Sequence, residues 1–229
     1  MGMNIGIAGL PNAGKSALFN ALTHGRHADA ESYPFCTIDP NHAIVPVPDE
    51  RVEEIAKVVR PKSTVHATIE FVDIAGLVRG ASEGEGLGNR FLAHIRDTDA
   101  VLHVVRCFED ENVAHVDGAV NPARDIGTVE TELLLADLQQ TEALAARLGK
   151  QARADPSLRP ALALVDELRA HLAAGRRAAG FADVGRDELA DHLRELRLLT
   201  LKPAILFVNL SAAPSAQQVA AVEAVEAAA

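Results

Sequence analysis

Cysteine is scarce in this 229-residue chain, which holds only Cys36 and Cys107. Two thiols cannot make a disulfide framework, and neither has further cysteines near enough for a zinc site. Reduced thiols in a cytosolic protein are the expectation. Long apolar runs are missing too. The longest, near Ala100–Val105 and Ala204–Val208, are far too short to span a bilayer. No basic stretch followed by an apolar one opens the chain, so no secretory signal is read there. Gly6 stands where a myristoylation signal needs Ser or Thr. Excess positive charge is also absent. A net charge of −10 argues against broad nucleic-acid binding, and nothing points to sequence-specific DNA recognition. These absences predict a cytoplasmic protein without a membrane partner, long enough for one sizeable core and a smaller appended element.

What is present is a rhythm of short apolar runs and helical stretches. Asn4–Ala8, Ala43–Val47, Ala67–Val72, Ala100–Val105 and Ala204–Val208 read as strands. Lys15–Leu22, Asp49–Val59 and Arg90–Arg96 read as helices, the second with Val52, Ile55, Ala56 and Val59 on one side. Gly25–Asn41 reads as a loop, and Gly76–Gly88, with five glycines, as a mobile segment. The alternation predicts an α/β fold with a mostly parallel sheet flanked by helices. Residues 126–198 break it. Val129, Leu133, Leu134, Leu138, Leu144 and Leu148 are helically spaced, as are Leu162–Leu172 and Leu189–Leu196. They predict an inserted antiparallel helical arm, loosened near Gly175–Gly185; helices packed flat on the sheet are the alternative. The division is then 1–125 for the first part of the sheet domain, 126–198 for the arm, and 199–212 for the last visible strand and its loop. An Ala-rich tail at 213–229 is helix-prone, with Ser215 and Gln218 as a capping pair, and is expected to be partly disordered.

Three motifs carry chemistry. Gly9-Leu-Pro-Asn-Ala-Gly14-Lys15-Ser16 lies between a strand and a helix and matches the phosphate-binding loop G-x-x-x-x-G-K-[ST]. Its glycines let backbone N–H groups turn toward phosphate oxygens, and the helix N-terminus adds positive charge. Asn12, Ala13, Gly14, Lys15, Ser16 and Ala17 are the candidate phosphate contacts. Lys15 reaches the β- and γ-phosphates, and Ser16 gives a hydroxyl to Mg²⁺. The second motif, Asp73-Ile-Ala-Gly76 at a strand end, places a carboxylate behind the Mg²⁺ and the N–H of Gly76 at the γ-phosphate. The third is Thr37, whose hydroxyl completes the metal shell only when the γ-phosphate is present and so makes its loop a switch.

The segments Gly9–Asn20, Tyr33–Pro40, Glu70–Gly88, His103–Asp110, Asp125–Ile126, Thr200–Pro203 and Asn209 resemble the YchF-type Obg-like P-loop proteins. The resemblance covers most of residues 3–210. It implies an ATP-preferring nucleoside triphosphatase with a coiled-coil-like insert, acting as a switch whose partner is the ribosome or another translation component. Guanine-specific relatives carry N-K-x-D where this chain has Asn209-Leu210-Ser211-Ala212, so the Asp that reads guanine is missing. The family's own N-x-x-E is matched by Asn209, but Ala212 replaces the Glu. Asn209 and Leu210 are candidate base contacts. Phe108 is a wall of the base pocket or an ordinary core residue. Leu77 stands where related GTPases place a water-orienting Gln, and the resemblance points instead to His115 as the catalytic histidine, with Lys15. In related enzymes an Asn at the position of Asn12 helps seat K⁺. A GTPase of the Obg type and a non-catalytic nucleotide-binding fragment are the competing readings. Full-length members go on to another strand and helix and a β-rich TGS domain; neither is visible here, which predicts exposed apolar surface at the sheet edge and weaker nucleotide binding.

Overall fold

A computed structural model describes residues 2–24, 42–74, 76, 80 and 87–228. Thr37 and the greater part of the glycine-rich segment 76–88 lie outside the described residues. Five strands form one sheet in the order β2-β3-β1-β4-β5. They are β1 (Met3–Ala8), β2 (His42–Pro46), β3 (Thr68–Asp73), β4 (Ala100–Arg106) and β5 (Ala204–Asn209). β1 is parallel to β3 and β4, β4 is parallel to β5, and β2 alone is antiparallel to its neighbour. The mostly parallel α/β sheet expected from the sequence is therefore present.

Alternation along the strands builds a core on each face. Ile5 and Ile7 of β1, with Leu102 and Val104 of β4, meet Phe19 of α1 (Lys15–His24). On the opposite face, Val72 and Val101 meet Phe91, Leu92 and Ile95 of α3 (Leu87–Arg96) and Val129 of α4 (Pro122–Gln151). Every residue of β4, which lies between β1 and β5, is buried. His103 of β4 faces this packing and is held neutral by burial, its pKa pushed down to about 4.

α4 serves two cores. Asn121 caps its start by accepting from the N–H of Arg124, and Pro122 occupies the first turn, where its missing N–H costs nothing. Thirty residues make it about 45 Å long. Its first half lies on the sheet through Ile126 and Val129. Its second half joins α5 (Arg159–Ala173) and α6 (Asp187–Leu196) around Leu148, Val165, Leu168 and Leu189. The helical arm is thus continuous with the layer that covers the sheet.

Three segments differ from the sequence reading. The stretch near Gly175–Gly185 is packed rather than loosened: Ala178 is fully buried, Phe181 meets the His171 ring edge-on at 5.5 Å, and the Ala178 N–H donates to Thr200 Oγ1. The Ala-rich tail is helix α7 (Ala216–Ala228) rather than disordered. Ser215 and Gln218 cap it reciprocally, and Val225, only 2 % exposed, anchors it against Val105, Cys107 and Ile126. Burying that one valine is worth about 1.5–3 kcal/mol, which compensates for the helix's lack of bulk. Helix α2 (Glu50–Val59) forms where expected, capped by Asp49, but it buries no residue; Ile55, Val58 and Val59 are exposed. At the other edge of the sheet, Ile205 and Phe207 of β5 are also exposed. Among the described residues, no helix is long and apolar enough to cross a membrane.

Candidate functional site

The chemistry-bearing residues gather at the C-terminal ends of β1, β3, β4 and β5, the end of a parallel sheet where ligands are usually bound. The loop leaving β1 needs backbone that side chains resist: Gly9 has φ +148, Gly14 φ +101 and Asn12 φ +61. A Cβ on Gly9 would stand 2.5 Å from the carbonyl oxygen of Val104, and one on Gly14 would run into Asn209 Nδ2. Glycine is required at both places for packing as well as for torsion. The turn closes through the Ala13 N–H on the Leu10 carbonyl at 3.4 Å. Ala13 is buried, whereas Ser16 and Ala17 in the first turn of α1 are exposed.

Lys15 folds back over this loop, its Nζ donating to the Leu10 carbonyl at 2.9 Å. Burial lowers its pKa, and the Asp73 carboxylate opposes that shift only in part. Asp73 lies at the end of β3 and accepts from the Ser16 hydroxyl at 3.0 Å. Gly76 comes so close that a Cβ there would stand 2.9 Å from Pro11 N and 3.1 Å from Lys15 Nζ. A buried ammonium, a hydroxyl paired with a carboxylate, and a glycine backbone therefore converge on one loop, although Gly9 and Gly76 are 67 positions apart in the sequence. Ser16 Oγ and Asp73 Oδ2 are adjacent hard oxygen donors, which suits Mg²⁺, an ion that takes few protein ligands and fills its shell from phosphate and water.

On the β5 side, Asn209 Nδ2 donates to the Ala13 carbonyl at 3.0 Å, tying the end of β5 to the Gly9–Ser16 loop. Leu210 is half-buried and packs toward Val105 and Val225. Phe108 is half-buried, its ring lying 4.6 Å from the Arg106 guanidinium carbon. Asn12 Nδ2 donates to the Ala114 carbonyl at 3.0 Å, so its amide oxygen is the end turned away from that bond.

His115, beside Ala114, is anchored. Its side chain is 4 % exposed, and Nε2 lies 2.9 Å from Asp125 Oδ2. Nδ1 accepts from the Asp117 N–H at 3.1 Å, so the proton belongs on Nε2, donated to Asp125. In this arrangement neither ring nitrogen is left to orient a water. Motif reading passed over Arg106, which is 3 % exposed and bonds three carbonyls; the available signal was a charge ending an otherwise apolar strand. Asp137 was passed over too, although an acid within the apolar stripe of α4 marks it.

Residues 4–136 match the family described as 50S ribosome-binding GTPase. Among curated relatives, the Ribosome-binding ATPase YchF of Escherichia coli O157:H7 is 49% identical over 213 residues, covering 92% of this chain and 58% of that protein. The Bacillus subtilis (strain 168) protein of the same name is 45% identical over 212 residues, covering 92% of this chain and 57% of that protein. The solved structure of the Schizosaccharomyces pombe YchF GTPase is similar with a TM-score of 0.75 at 37% identity, covering 92% of this chain and 57% of that one. The chain spans less than two thirds of the length of these relatives.

Proposed function

This chain belongs to the 50S ribosome-binding GTPase family, as the match over residues 4–136 shows, and from that premise we propose that it is a Mg²⁺-dependent nucleoside triphosphatase preferring ATP, working as a conformational switch on the ribosome. The observation that carries the reading is the convergence of Lys15, Ser16, Asp73 and Gly76 on the phosphate loop. Lys15 carries charge in a partly dehydrated place, where a triphosphate supplies the counter-charge that, among the described residues, comes through Asp73. Ser16 and Asp73 would hold the Mg²⁺, which supplies charge neutralisation of the phosphate oxygens. The Gly76 backbone borders the same space, and the amide oxygen of Asn12 is a fitting ligand for K⁺. Asn209 and Leu210 with Phe108 are proposed to meet the base, and Thr37 is proposed as the switch hydroxyl. Ribosome binding is named for the relatives and comes to this chain as part of the proposal.

GTP is the second reading, favoured by the family's description. Against it stands the sequence after Asn209, where Leu210-Ser211-Ala212 offers no carboxylate to guanine. For hydrolysis, His115 has to leave Asp125 before it can orient water, so we place its role in a rearranged loop. Phosphate release from ATP and from GTP, measured with and without Mg²⁺, tests the function. The expected result is Mg²⁺-dependent release, faster from ATP, with His115→Ala binding ATP within about threefold of wild type but turning over about a hundredfold more slowly. Unchanged turnover in His115→Ala would remove the histidine from the chemistry, and faster release from GTP would favour the second reading.

A further inference from the structure

Arg106 ends the most deeply buried strand, and among the described residues no carboxylate lies within ion-pairing distance of it. Its guanidinium is spent on carbonyls. Nε donates to Phe108 O at 3.1 Å, Nη1 to Ala114 O at 3.3 Å and Nη2 to Val113 O at 2.9 Å. The flat face of the same group lies against the Phe108 ring. A buried cation with no carboxylate partner among the described residues is an expensive way to pack a strand end, and an apolar residue of similar size would fill the space at lower cost. What the fork supplies, and an apolar residue or a lysine cannot, is fixed geometry: three carbonyls and one ring set by a single rigid plane.

Two further contacts carry that geometry into the nucleotide site. The Ala114 carbonyl held by Arg106 also accepts from Asn12 Nδ2 in the phosphate loop. Asn209 is the register partner of Arg106 across β4 and β5, and its carbonyl accepts from the Cys107 N–H at 2.9 Å. Phe108 and Asn12 are therefore both referred to the Arg106 side chain, and Asn209 to the backbone at the same strand end.

We propose that Arg106 is a positioning residue for purine nucleotides, setting the Phe108 ring as the platform for the base while locking the loop after β4 to the phosphate loop. The proposal rests on the nucleotide reading given above. Stacking tolerates either purine, so Arg106 governs how tightly ATP and GTP bind and leaves the choice between them to Asn209 and its neighbours.

The test titrates wild type, Arg106→Lys, Phe108→Ala and the double variant with ATP, GTP and inorganic tripolyphosphate, which has no base, alongside thermal unfolding of each free protein. Arg106→Lys is expected to weaken ATP and GTP alike, about tenfold, and tripolyphosphate no more than about threefold. Adding Phe108→Ala to Arg106→Lys should cost much less than the product of the two separate losses, because both act through one ring. Multiplicative losses, or an equal loss for all three ligands in step with a lowered unfolding temperature, would make Arg106 merely structural and overturn the proposal. Wild-type binding to ATP with Arg106→Lys unchanged would overturn it alone. Failure of wild type to bind any of the three would overturn the nucleotide reading and this proposal with it.

Discussion

Replacing Lys15 with methionine should weaken ATP binding about tenfold to a hundredfold while leaving the free protein as stable as wild type, or more so. The two halves of that result come from one observation. Lys15 is 7 % exposed, and its burial lowers the pKa despite the attraction of Asp73. The folded chain therefore stands against the charged form. Methionine keeps the buried length of the side chain and removes the charge, so the free protein gains by no longer dehydrating an ammonium. Bound triphosphate loses its only lysine contact in the loop, and charge-assisted bonds of this kind are worth about 1.5–3 kcal/mol each, or roughly a hundredfold in affinity at the upper end. The pH dependence has a definite sign. Because the Lys15 pKa lies below the usual lysine value, the ammonium is lost as pH rises at values where a free lysine is still charged. Wild-type ATP affinity should fall across that alkaline range, and that of Lys15→Met should not. Calorimetric titration from pH 7 upward, with thermal unfolding of both proteins, checks both halves.

Asp137→Ala should be the most destabilising single change in the helical part, costing about 3–5 kcal/mol. Asp137 has no exposed surface and accepts three bonds, from the N–H groups of Leu199 and Thr200 at 2.8 Å each and from Thr200 Oγ1 at 2.7 Å. Thr200 Oγ1 in turn accepts from the Ala178 N–H. One carboxylate on α4 thereby joins the turn that follows α5 to the segment that leads into β5. Alanine leaves all three donors buried and unpaired, each at a cost of about 1–3 kcal/mol before relaxation. Asparagine can still accept through its oxygen, and the Thr200 hydroxyl can turn to accept from its amide, so Asp137→Asn should lose roughly half as much. Urea denaturation of the two variants measures the order. Equal losses would mean that packing, not hydrogen bonding, sets the effect. β5 carries Asn209 to the phosphate loop, so a loosened start of β5 should also weaken nucleotide binding.

The parts of this molecule legible in its sequence are those whose cause is local. Strands and helices follow from period, and β1, α1 and β4 begin or end within two residues of where the apolar spacing puts them. The phosphate loop is contiguous, and its glycines are needed for torsions of the chain itself. Asp73 and Gly76 are legible because a strand delivers them to the same end of the sheet. Where causes are distant, the sequence is silent. Asp137 meets Thr200 across 63 positions, and spacing alone names no partner for it. Arg106 looks like the polar end of a strand until the loop wraps around it. For His115 the resemblance supplies a role, while the fold supplies an anchor on Asp125 that the separate resembling segments do not connect to it. α2 shows a different limit: periodicity gives the side that prefers burial, not whether anything packs on it.

On the proposed function, the loop around Lys15 holds a nucleoside triphosphate, and the segment after Asn209, which offers no carboxylate to guanine, leaves ATP the better ligand. Calorimetric titration of the wild-type chain with ATP and with GTP, in buffer containing Mg²⁺ and K⁺, tests it most directly. Saturable binding of one ATP per chain, tighter than GTP, is the result predicted. Absence of binding to both nucleotides would contradict the site, and tighter binding of GTP would contradict the base preference.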